Sequence, residues 1–260
     1  MNIKFEDRFI EVPGGAIFSR KWSCRGTLSP IILLHDSLGS VEIWRDFPES
    51  LCMASGRDVI AYDRLGYAKS SPRNDILPFD FIRQEADIFF PHIKESYGIK
   101  EFILFGHSTG GSMSAEIAAK YQKECIAVIT EASQAFVEPI TIEGVSAAKE
   151  SFKNPAQFDK LVRYHGEKAK WVLDAWTETW LSPQFRDWNL DETLKKVTSP
   201  LLAIHGEYDE FGSAEFPRRF ASLAGGSSEM ILLEKTGHVP HRERKEEIIR
   251  IVLEFIEKHR

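Results

Sequence analysis

The stretch that suggests chemistry most directly is G-H-S-T-G at residues 106–110, which places Ser108 between two glycines. An apolar run precedes it and helical spacing follows it, so the pattern predicts a strand, a sharp turn and a helix. The helix start would supply unpaired N–H groups and the positive end of a dipole, which favour a developing anion. The arrangement suits acyl transfer by a serine nucleophile. The structural alternative is a tight turn with a solvated hydroxyl.

A serine hydroxyl needs a general base, and histidine is the usual one at neutral pH. His238 lies in E-K-T-G-H-V-P-H, after an apolar run and ahead of the last predicted helix, where a base could reach Ser108. We favour it over His241, whose place beside the helix start indicates a packing or capping role. The two histidines also form an H-x-x-H pattern, but no third ligand with recognisable spacing stands nearby, so we predict no metal site.

The base in turn needs a carboxylate that holds its tautomer. The segment H-G-E-Y-D-E follows the apolar run at 201–204, and we choose Asp209 from it as the acid. Glu207 and Glu210 flank it, and Glu131 at the end of the preceding predicted strand is a further candidate. Any of these carboxylates could instead be a solvated loop charge.

The elements that must position these residues alternate between short apolar runs and longer amphipathic stretches. Consecutive apolar positions indicate strands covered on both faces, and therefore a largely parallel sheet. Residues 5–22 read as two half-buried strands joined at Pro13-Gly14-Gly15, an antiparallel hairpin. The six predicted buried strands span residues 31–34, 59–62, 102–105, 126–129, 201–204 and 230–233.

One interval, between Ser133 and Pro200, has no strong strand signal and is predicted to be a helical insertion. Leu173, Trp176 and Trp180 follow helical spacing and form an apolar stripe that could line a pocket. The alternative is that these rings only attach the insertion to the main domain. The insertion holds four of the six tryptophans, namely Trp171, Trp176, Trp180 and Trp188.

Composition limits the functional classes. The chain has 260 residues, 43% hydrophobic residues and a net charge of −6, so it lacks the basic excess that nucleic acid or an anionic membrane would attract. We expect a small-molecule substrate, with neither nucleic acid nor a membrane as partner. No phosphate loop or dinucleotide-binding glycine pattern is present, so no cofactor is implied.

The cysteines and the N-terminus point to the cytoplasm as the default location. Cys24, Cys52 and Cys125 are odd in number, far apart and without a C-x-x-C pair, and we interpret them as buried thiols in a reducing compartment. The N-terminal residues are charged and contain no continuous apolar segment of the kind that targets a chain for secretion.

Four ordered motifs at predicted strand ends resemble the α/β-hydrolase superfamily: G-H-S-T-G-G, A-Y-D-R-L-G-Y-A-K-S, H-G-E-Y-D and T-G-H. The resemblance covers nearly the whole chain. It implies a mostly parallel eight-stranded sheet with helices on both faces and an inserted helical cap, dividing the chain into a core at 1–133, a cap at 134–190 and a core at 191–260. Ser108, Asp209 and His238 match the family triad in its usual chain order.

The resemblance also implies an oxyanion hole made of two backbone N–H groups. Ser37, in the loop after the strand at 31–34, would supply one, and Thr109 the other. Two residues depart from the family pattern. Asp36 stands where members commonly have glycine, and its charge should repel an oxyanion; aspartate tolerates unusual backbone angles, so we expect the loop to keep its shape with the side chain turned away. Ala68 replaces the second glycine of D-x-x-G-x-G, and its side chain should restrict the backbone conformations that this loop can adopt.

These features predict a serine hydrolase that cleaves a carboxylic ester of a small-to-medium apolar acyl group through an acyl-enzyme, with Trp176 and Trp180 contacting substrate. Relatives that use aspartate as nucleophile, the epoxide hydrolases and haloalkane dehalogenases, are poor guides. A carbon–carbon bond hydrolase for a dioxo acid is one alternative, and Arg163 or Arg186 could then hold the substrate carboxylate. An acyl-thioester or acyl-carrier ester hydrolase is another, and a ligand receptor on the same fold is an alternative of a different class. The sequence does not specify the substrate or the oligomeric state.

Overall fold

The structure is a computed structural model that describes residues 3–24 and 27–259. In this part of the chain eight strands form one sheet in the spatial order β1-β2-β4-β3-β5-β6-β7-β8. Their bounds are β1 Lys4–Val12, β2 Gly15–Ser23, β3 Ile31–Leu34, β4 Val59–Tyr62, β5 Phe102–His107, β6 Cys125–Glu131, β7 Leu201–Gly206 and β8 Ser228–Leu233.

The pairing directions confirm a mostly parallel sheet. Strands β1 and β2 form an antiparallel hairpin, β2 also pairs antiparallel with β4, and every remaining neighbouring pair is parallel. Strand order reverses at β3, which lies between β4 and β5. In open parallel sheets, ligands bind beyond the carboxyl ends of the strands at such a reversal. The loops that follow β3 and β5 carry Ser37 and Ser108.

The apolar strands are buried on both faces, as their unbroken apolar runs predict. Successive residues of β3 alternate between two clusters: Ile32 and Leu34 belong to one, and Ile31 and Leu33 belong to the other. Neighbouring strands repeat this alternation, because side chains of a strand point to opposite faces in turn.

Eleven α-helices lie in the described residues. Their bounds are α1 Phe47–Ser55, α2 Phe81–Gln84, α3 Phe90–Ser96, α4 Thr109–Lys120, α5 Pro139–Ser151, α6 Pro155–His165, α7 Ala169–Trp180, α8 Asp191–Leu194, α9 Glu215–Leu223, α10 Pro240–Glu243 and α11 Lys245–Lys258. Buried residues of α1 and α11 join the cluster on one face of the sheet, while those of α3, α4 and α9 join the cluster on the other. The molecule therefore has the three layers of an α/β fold.

The interval between β6 and β7 is helical and contains α5, α6, α7 and α8. Its extended pairing is limited, within the residues described, to an isolated bridge between Phe136 and Asn189. The predicted stripe of Leu173, Trp176 and Trp180 lies on α7. A helical insertion at this point matches the sequence pattern, although its limits at 134 and 190 stay a prediction.

The cysteines differ from expectation. Cys24 and Cys52 are linked by a disulfide, with their Cα atoms 6.2 Å apart, while Cys125 is a buried free thiol. The interpretation as three thiols is therefore wrong for two of them, because β2 and α1 bring together residues that are distant in sequence. Cysteine content consequently no longer argues for a reducing compartment.

Across residues 3–24 and 27–259, every helix is too short or too polar to cross a bilayer.

Candidate active site

Ser108 sits at the sharp turn between β5 and α4. Its backbone has φ 54° and ψ −127°, a conformation that L-residues rarely adopt. The turn is held by a 2.8 Å hydrogen bond from the Ser108 N–H to the carbonyl oxygen of Glu131, on the neighbouring strand. Such strained positions are typical of functional sites. The strand, turn and helix predicted around Ser108 are therefore present.

The glycines of the motif allow the chain to pass close to itself. A Cβ atom at Gly106 would lie 2.3 Å from the carbonyl oxygen of Gly110, and one at Gly110 would lie 2.1 Å from the carbonyl oxygen of Leu34. Both distances are far below contact distance, and the atoms met are backbone. Helix α4 can start directly above β3 and β5 because these two residues have no side chain.

The structure brings Asp209 and His238 together. The His238 Nδ1–H faces both carboxylate oxygens of Asp209, at 2.9 and 2.8 Å, and Asp209 also accepts the Phe211 N–H at 2.8 Å. Asp209 lies after β7 and His238 lies after β8, so two adjacent strands deliver the pair. A carboxylate on Nδ1 leaves Nε2 as the nitrogen that can accept a proton.

The pair shifts both pKa values. Burial alone would raise the pKa of Asp209, but the charge and hydrogen bond of His238 lower it below its usual value. Burial alone would lower the pKa of His238, but the charge and hydrogen bond of Asp209 outweigh that effect and raise it above 6.5. The ring is thus stabilised as an imidazolium, the form a general base takes after accepting a proton.

The rival acids have other surroundings. Glu131 contacts Nδ1 of His241 in a buried pair, and Glu207 accepts the Lys235 N–H on the surface. Glu210 is exposed. His241 packs against the rings of Trp44 and Phe47, in keeping with the packing role expected for it. Among the candidates, Asp209 alone pairs with His238 in the described part of the chain.

Ser108 and His238 line one cavity, but no hydrogen bond joins them in the described structure. The Ser108 hydroxyl instead contacts the side-chain amide of Gln134, with Oγ 3.3 Å from Nε2 and 3.4 Å from Oε1. Contacts between nucleophile and base are often long in a free enzyme and tighten when substrate binds. Ser108 and His238 therefore share a cavity, with the Ser108 hydroxyl against the Gln134 amide, and their catalytic roles stay a prediction.

The cavity beside Ser108 is small and mostly apolar. Its volume is about 130 Å³, below the range of typical ligand pockets. Helices α5 and α7 of the insertion supply Val145, Trp176 and Trp180, and Phe211 closes a further side. Trp176 and Trp180 thus lie where the sequence stripe predicted a pocket wall, whereas Trp171 donates its N–H to the Asp75 carbonyl and Trp188 packs against Phe185.

The two predicted oxyanion donors lie side by side. The hydroxyl groups of Ser37 and Thr109 hydrogen-bond each other at 2.6 Å, and both residues line the cavity. Thr109 is the first residue of α4, so its N–H has no partner inside the helix. The loop after β3 and the start of α4 are thereby held together beside Ser108, while the role of the two backbone N–H groups as oxyanion donors stays a prediction.

Asp36, the first departure from the family pattern, differs from expectation in both its backbone conformation and the position of its side chain. Its φ is not positive, so its tolerance of unusual backbone angles is not used. Its side chain lies at the cavity wall rather than turned away; one carboxylate oxygen accepts the Leu38 N–H at 2.8 Å and the other lies 3.2 Å from Nδ1 of His107. The Leu38 N–H and the His107 ring hold the carboxylate near the predicted oxyanion hole.

The second departure, Ala68, does take a left-handed conformation, with φ 34°. Its N–H donates to Nδ1 of His165 at 3.1 Å, and Nε2 of the same ring contacts the carbonyl oxygen of Leu38 at 2.9 Å. A histidine at the end of α6 therefore ties the insertion both to this strained loop and to the loop that carries Ser37.

One group of potential metal ligands occurs among the described residues, formed by His107, Glu131 and His241, whose ligand atoms lie within 4.8 Å of one another. It differs from the H-x-x-H pattern, because His238 is not part of it. Both ring nitrogens of His107 already face protein groups, the carboxylate of Asp36 and the carbonyl oxygen of His238. A metal ion there would have to displace one of these contacts.

Sequence reasoning missed Gln134, His107 and His165. Gln134 follows the end of β6 and His107 directly precedes the nucleophile, so their positions beyond or at strand ends were a signal. His165 lies far from the motifs in sequence, and only the packing of the insertion reveals its contacts.

Comparison with known proteins gives a family. A family model described as alpha/beta hydrolase fold matches residues 29–245. Two proline iminopeptidases are similar in sequence: that of Saccharolobus solfataricus is 21% identical, covering 99% of this chain and 94% of its own, and that of Heyndrickxia coagulans is 23% identical, covering 97% and 99%.

Solved structures share the fold. The proline iminopeptidase of Mycobacterium smegmatis superposes with a TM-score of 0.79 at 20% identity, covering 98% of each chain. The carboxylesterase CesB of Bacillus subtilis superposes with a TM-score of 0.73 at 18% identity, covering 98% of this chain and 92% of its own.

Proposed function

The chain belongs to the α/β-hydrolase family, and from this premise we propose that it is a serine esterase for a small, apolar acyl group. The observation that carries the proposal is the 130 Å³ cavity, which joins Ser108 and His238 to apolar walls from the insertion. A cavity of this size favours a short acyl chain. The apolar walls favour an uncharged one.

In the proposed reaction Ser108 Oγ exchanges its contact with Gln134 for one with Nε2 of His238, which accepts the hydroxyl proton during attack on the ester carbonyl. The N–H groups of Ser37 and Thr109 stabilise the tetrahedral oxyanion. His238 then protonates the leaving alcohol. Water, activated by the same ring, hydrolyses the acyl-enzyme and releases the acid.

The first alternative, cleavage of a prolyl amide, is suggested by the relatives named proline iminopeptidases. A protonated amino group would need a carboxylate to receive it. In the described residues Asp36 is the carboxylate on the cavity wall, and its two oxygens already serve Leu38 and His107. This arrangement favours an ester over an aminoacyl amide.

A carbon–carbon hydrolase for a dioxo acid is less well supported. Arg163 and Arg186, which could have held a substrate carboxylate, are both exposed and neither lines the cavity. An acyl-thioester hydrolase would use the same Ser108, His238 and Asp209. A ligand receptor would share the fold but would not turn over a substrate.

The test is hydrolysis of p-nitrophenyl acetate, butyrate and octanoate, alongside L-proline p-nitroanilide and a dioxo acid. We expect kcat/KM to be highest for acetate or butyrate and to fall for octanoate. Ser108→Ala should lower kcat by roughly 10⁴-fold or more, since it removes the nucleophile. The matched control Ser151→Ala, on the exposed face of α5, should keep wild-type activity.

Faster turnover of the proline anilide or the dioxo acid than of every ester would contradict the ester proposal. Ordinary ester turnover by Ser108→Ala would contradict the assignment of the nucleophile.

A further inference from the structure

A contact between the partly buried Asp36 and the buried His107 connects the loop after β3 to the end of β5, beside Ser108. Asp36 lies in the loop after β3, which also carries Ser37, and His107 is the last residue of β5. On its other side His107 reaches the loop of His238, where Nε2 lies 2.7 Å from the His238 carbonyl oxygen. His107 therefore links the loop that carries Ser37 to the loop that carries His238. The distance between these two loops sets the position of the proposed oxyanion donors relative to the proposed base.

The two nitrogens of the His107 ring face two oxygen atoms, one from the carboxylate of Asp36 and one from the His238 carbonyl group. A carbonyl oxygen only accepts hydrogen bonds, and an ionised carboxylate also only accepts them. Both contacts are satisfied together only when both ring nitrogens carry a proton, and this is the form of the ring that the proposed pair requires. Burial alone would raise the pKa of Asp36, but the hydrogen bond and charge of His107 lower it well below its usual value.

Resting on the proposed function, we propose that Asp36 and His107 form an ion pair that positions the oxyanion loop against the His238 loop and neutralises the carboxylate beside the oxyanion hole. Asp36 bonds the Leu38 N–H and so shapes the turn around Ser37, and His107 holds the backbone of His238. Both are positioning residues, since neither receives the proton or carries the acyl group.

The pair explains how an acidic residue is tolerated at this position. An unpaired carboxylate near a developing oxyanion opposes catalysis, because like charges in a water-poor site interact strongly. With His107 protonated, Asp36 and His107 together carry no net charge. The loop then gains a fixed shape without adding a negative field at the hole.

The test is a double-mutant cycle with His107→Gln and Asp36→Asn, read by the rate of fluorophosphonate labelling at Ser108 and by kcat and KM for p-nitrophenyl acetate. In His107→Gln the Gln amide can still donate to the His238 carbonyl, but Asp36 is left unpaired. We expect labelling and kcat to fall by roughly 100-fold, with KM changed far less, since the loss is electrostatic.

Asn at position 36 can accept the Leu38 N–H and donate to a neutral His107 ring, so Asp36→Asn should cost less than His107→Gln. Added to His107→Gln, it removes the unpaired charge and should restore the labelling rate by roughly tenfold. Rescue of one variant by another would not follow from a merely structural role. Asp159→Asn, on an exposed face of α6, is the matched control and should label like wild type.

A double variant that labels no faster than His107→Gln would overturn the proposal. If thermal unfolding shows that His107→Gln is not folded, Asp36→Ala replaces it in the test. That variant leaves the His107 ring without its carboxylate partner and should label at least tenfold more slowly than Asp36→Asn. Equal labelling rates of Asp36→Ala and Asp36→Asn would overturn the proposal. Fluorophosphonate labelling does not require an ester substrate. Labelling of the wild-type protein without ester cleavage would therefore contradict the esterase proposal alone. Absence of labelling in the wild-type protein would contradict the serine mechanism itself.

Discussion

At the scale of residues, the site depends on which side chains meet His238. Sequence offered four carboxylates for the role, and Asp209 was chosen by its place after a predicted strand. The structure gives Glu131 to His241 and Glu207 to the Lys235 N–H, which leaves Asp209 for His238. Chain order and strand ends alone do not separate these carboxylates, since all four lie between Ser108 and His238 at or after a strand end. The family motif H-G-E-Y-D selects Asp209, and its catalytic role stays a prediction.

The pKa of His238 predicts the pH dependence of activity. The base must be neutral to accept a proton, and Asp209 raises its pKa above 6.5 against the opposing effect of burial. Accordingly, kcat/KM should fall as pH drops through a value above 6.5, because the ring becomes protonated. A pH profile of p-nitrophenyl acetate hydrolysis measures this limb.

Asp209→Asn tests the cause of that shift. Loss of the charge should move the acid limb to lower pH and lower kcat by roughly 10⁴-fold, since the amide no longer holds the productive tautomer. The matched change Glu207→Gln, in the same loop, should leave both limb and rate near wild type. An acid limb that stays in place in Asp209→Asn would contradict the pairing as its cause.

Strand-end positions mark Gln134 and His107 as residues near the site, but their contacts could not be predicted from sequence. Nothing in the chain's pattern places the Gln134 amide on the Ser108 hydroxyl or the His107 ring on Asp36, because these contacts depend on how β5, β6 and the loop after β3 come together. The loop after β3 illustrates the same limit. Asp36 could be recognised from sequence as an unusual residue, but its contact with His107 could not.

At the scale of elements, the nucleophile turn depends on the close approach of α4 to β3. The glycine spacing predicted the turn, and the structure shows its steric reason, since a side chain at Gly110 would meet the Leu34 carbonyl oxygen at 2.1 Å. Strand positions were predicted equally well: the runs at 31–34 and 59–62 match β3 and β4, while each of the other four is two or three residues longer in the structure. At the ends of these four strands, the structure continues mainly through polar residues or glycine, and an apolar run cannot predict such positions.

Gly110→Ala tests the steric requirement. The added methyl must push α4 away from β3, and we expect a loss of about 3 kcal/mol or more in the free energy of unfolding. Gly98→Ala is the control, because its site is open but has φ 61°, so only backbone strain of about 1–2 kcal/mol is expected. Urea unfolding measures both, and labelling of Ser108 should be lost in Gly110→Ala. Equal stability of the two variants would contradict the close-approach argument.

At the scale of the whole molecule, the insertion is joined to the core beside the site. The Lys168 ammonium group contacts the carbonyl oxygens of Tyr67, Ala68 and Ser70, and His165 bridges Ala68 and Leu38. The helical character of the insertion and its tryptophan stripe were predictable from spacing. Its contacts with the core were not, because they join segments about 100 residues apart.

The turns after β5, β7 and β8 converge, and we expect this convergence to make Ser108 reactive through His238. The most direct measurement is mass spectrometry of the protein after reaction with a fluorophosphonate, with peptide mapping of the adduct. We predict one adduct per chain, on Ser108, formed much more slowly in His238→Gln and at the wild-type rate in the control His92→Gln. An adduct on another residue, or unchanged labelling of His238→Gln, would contradict the account.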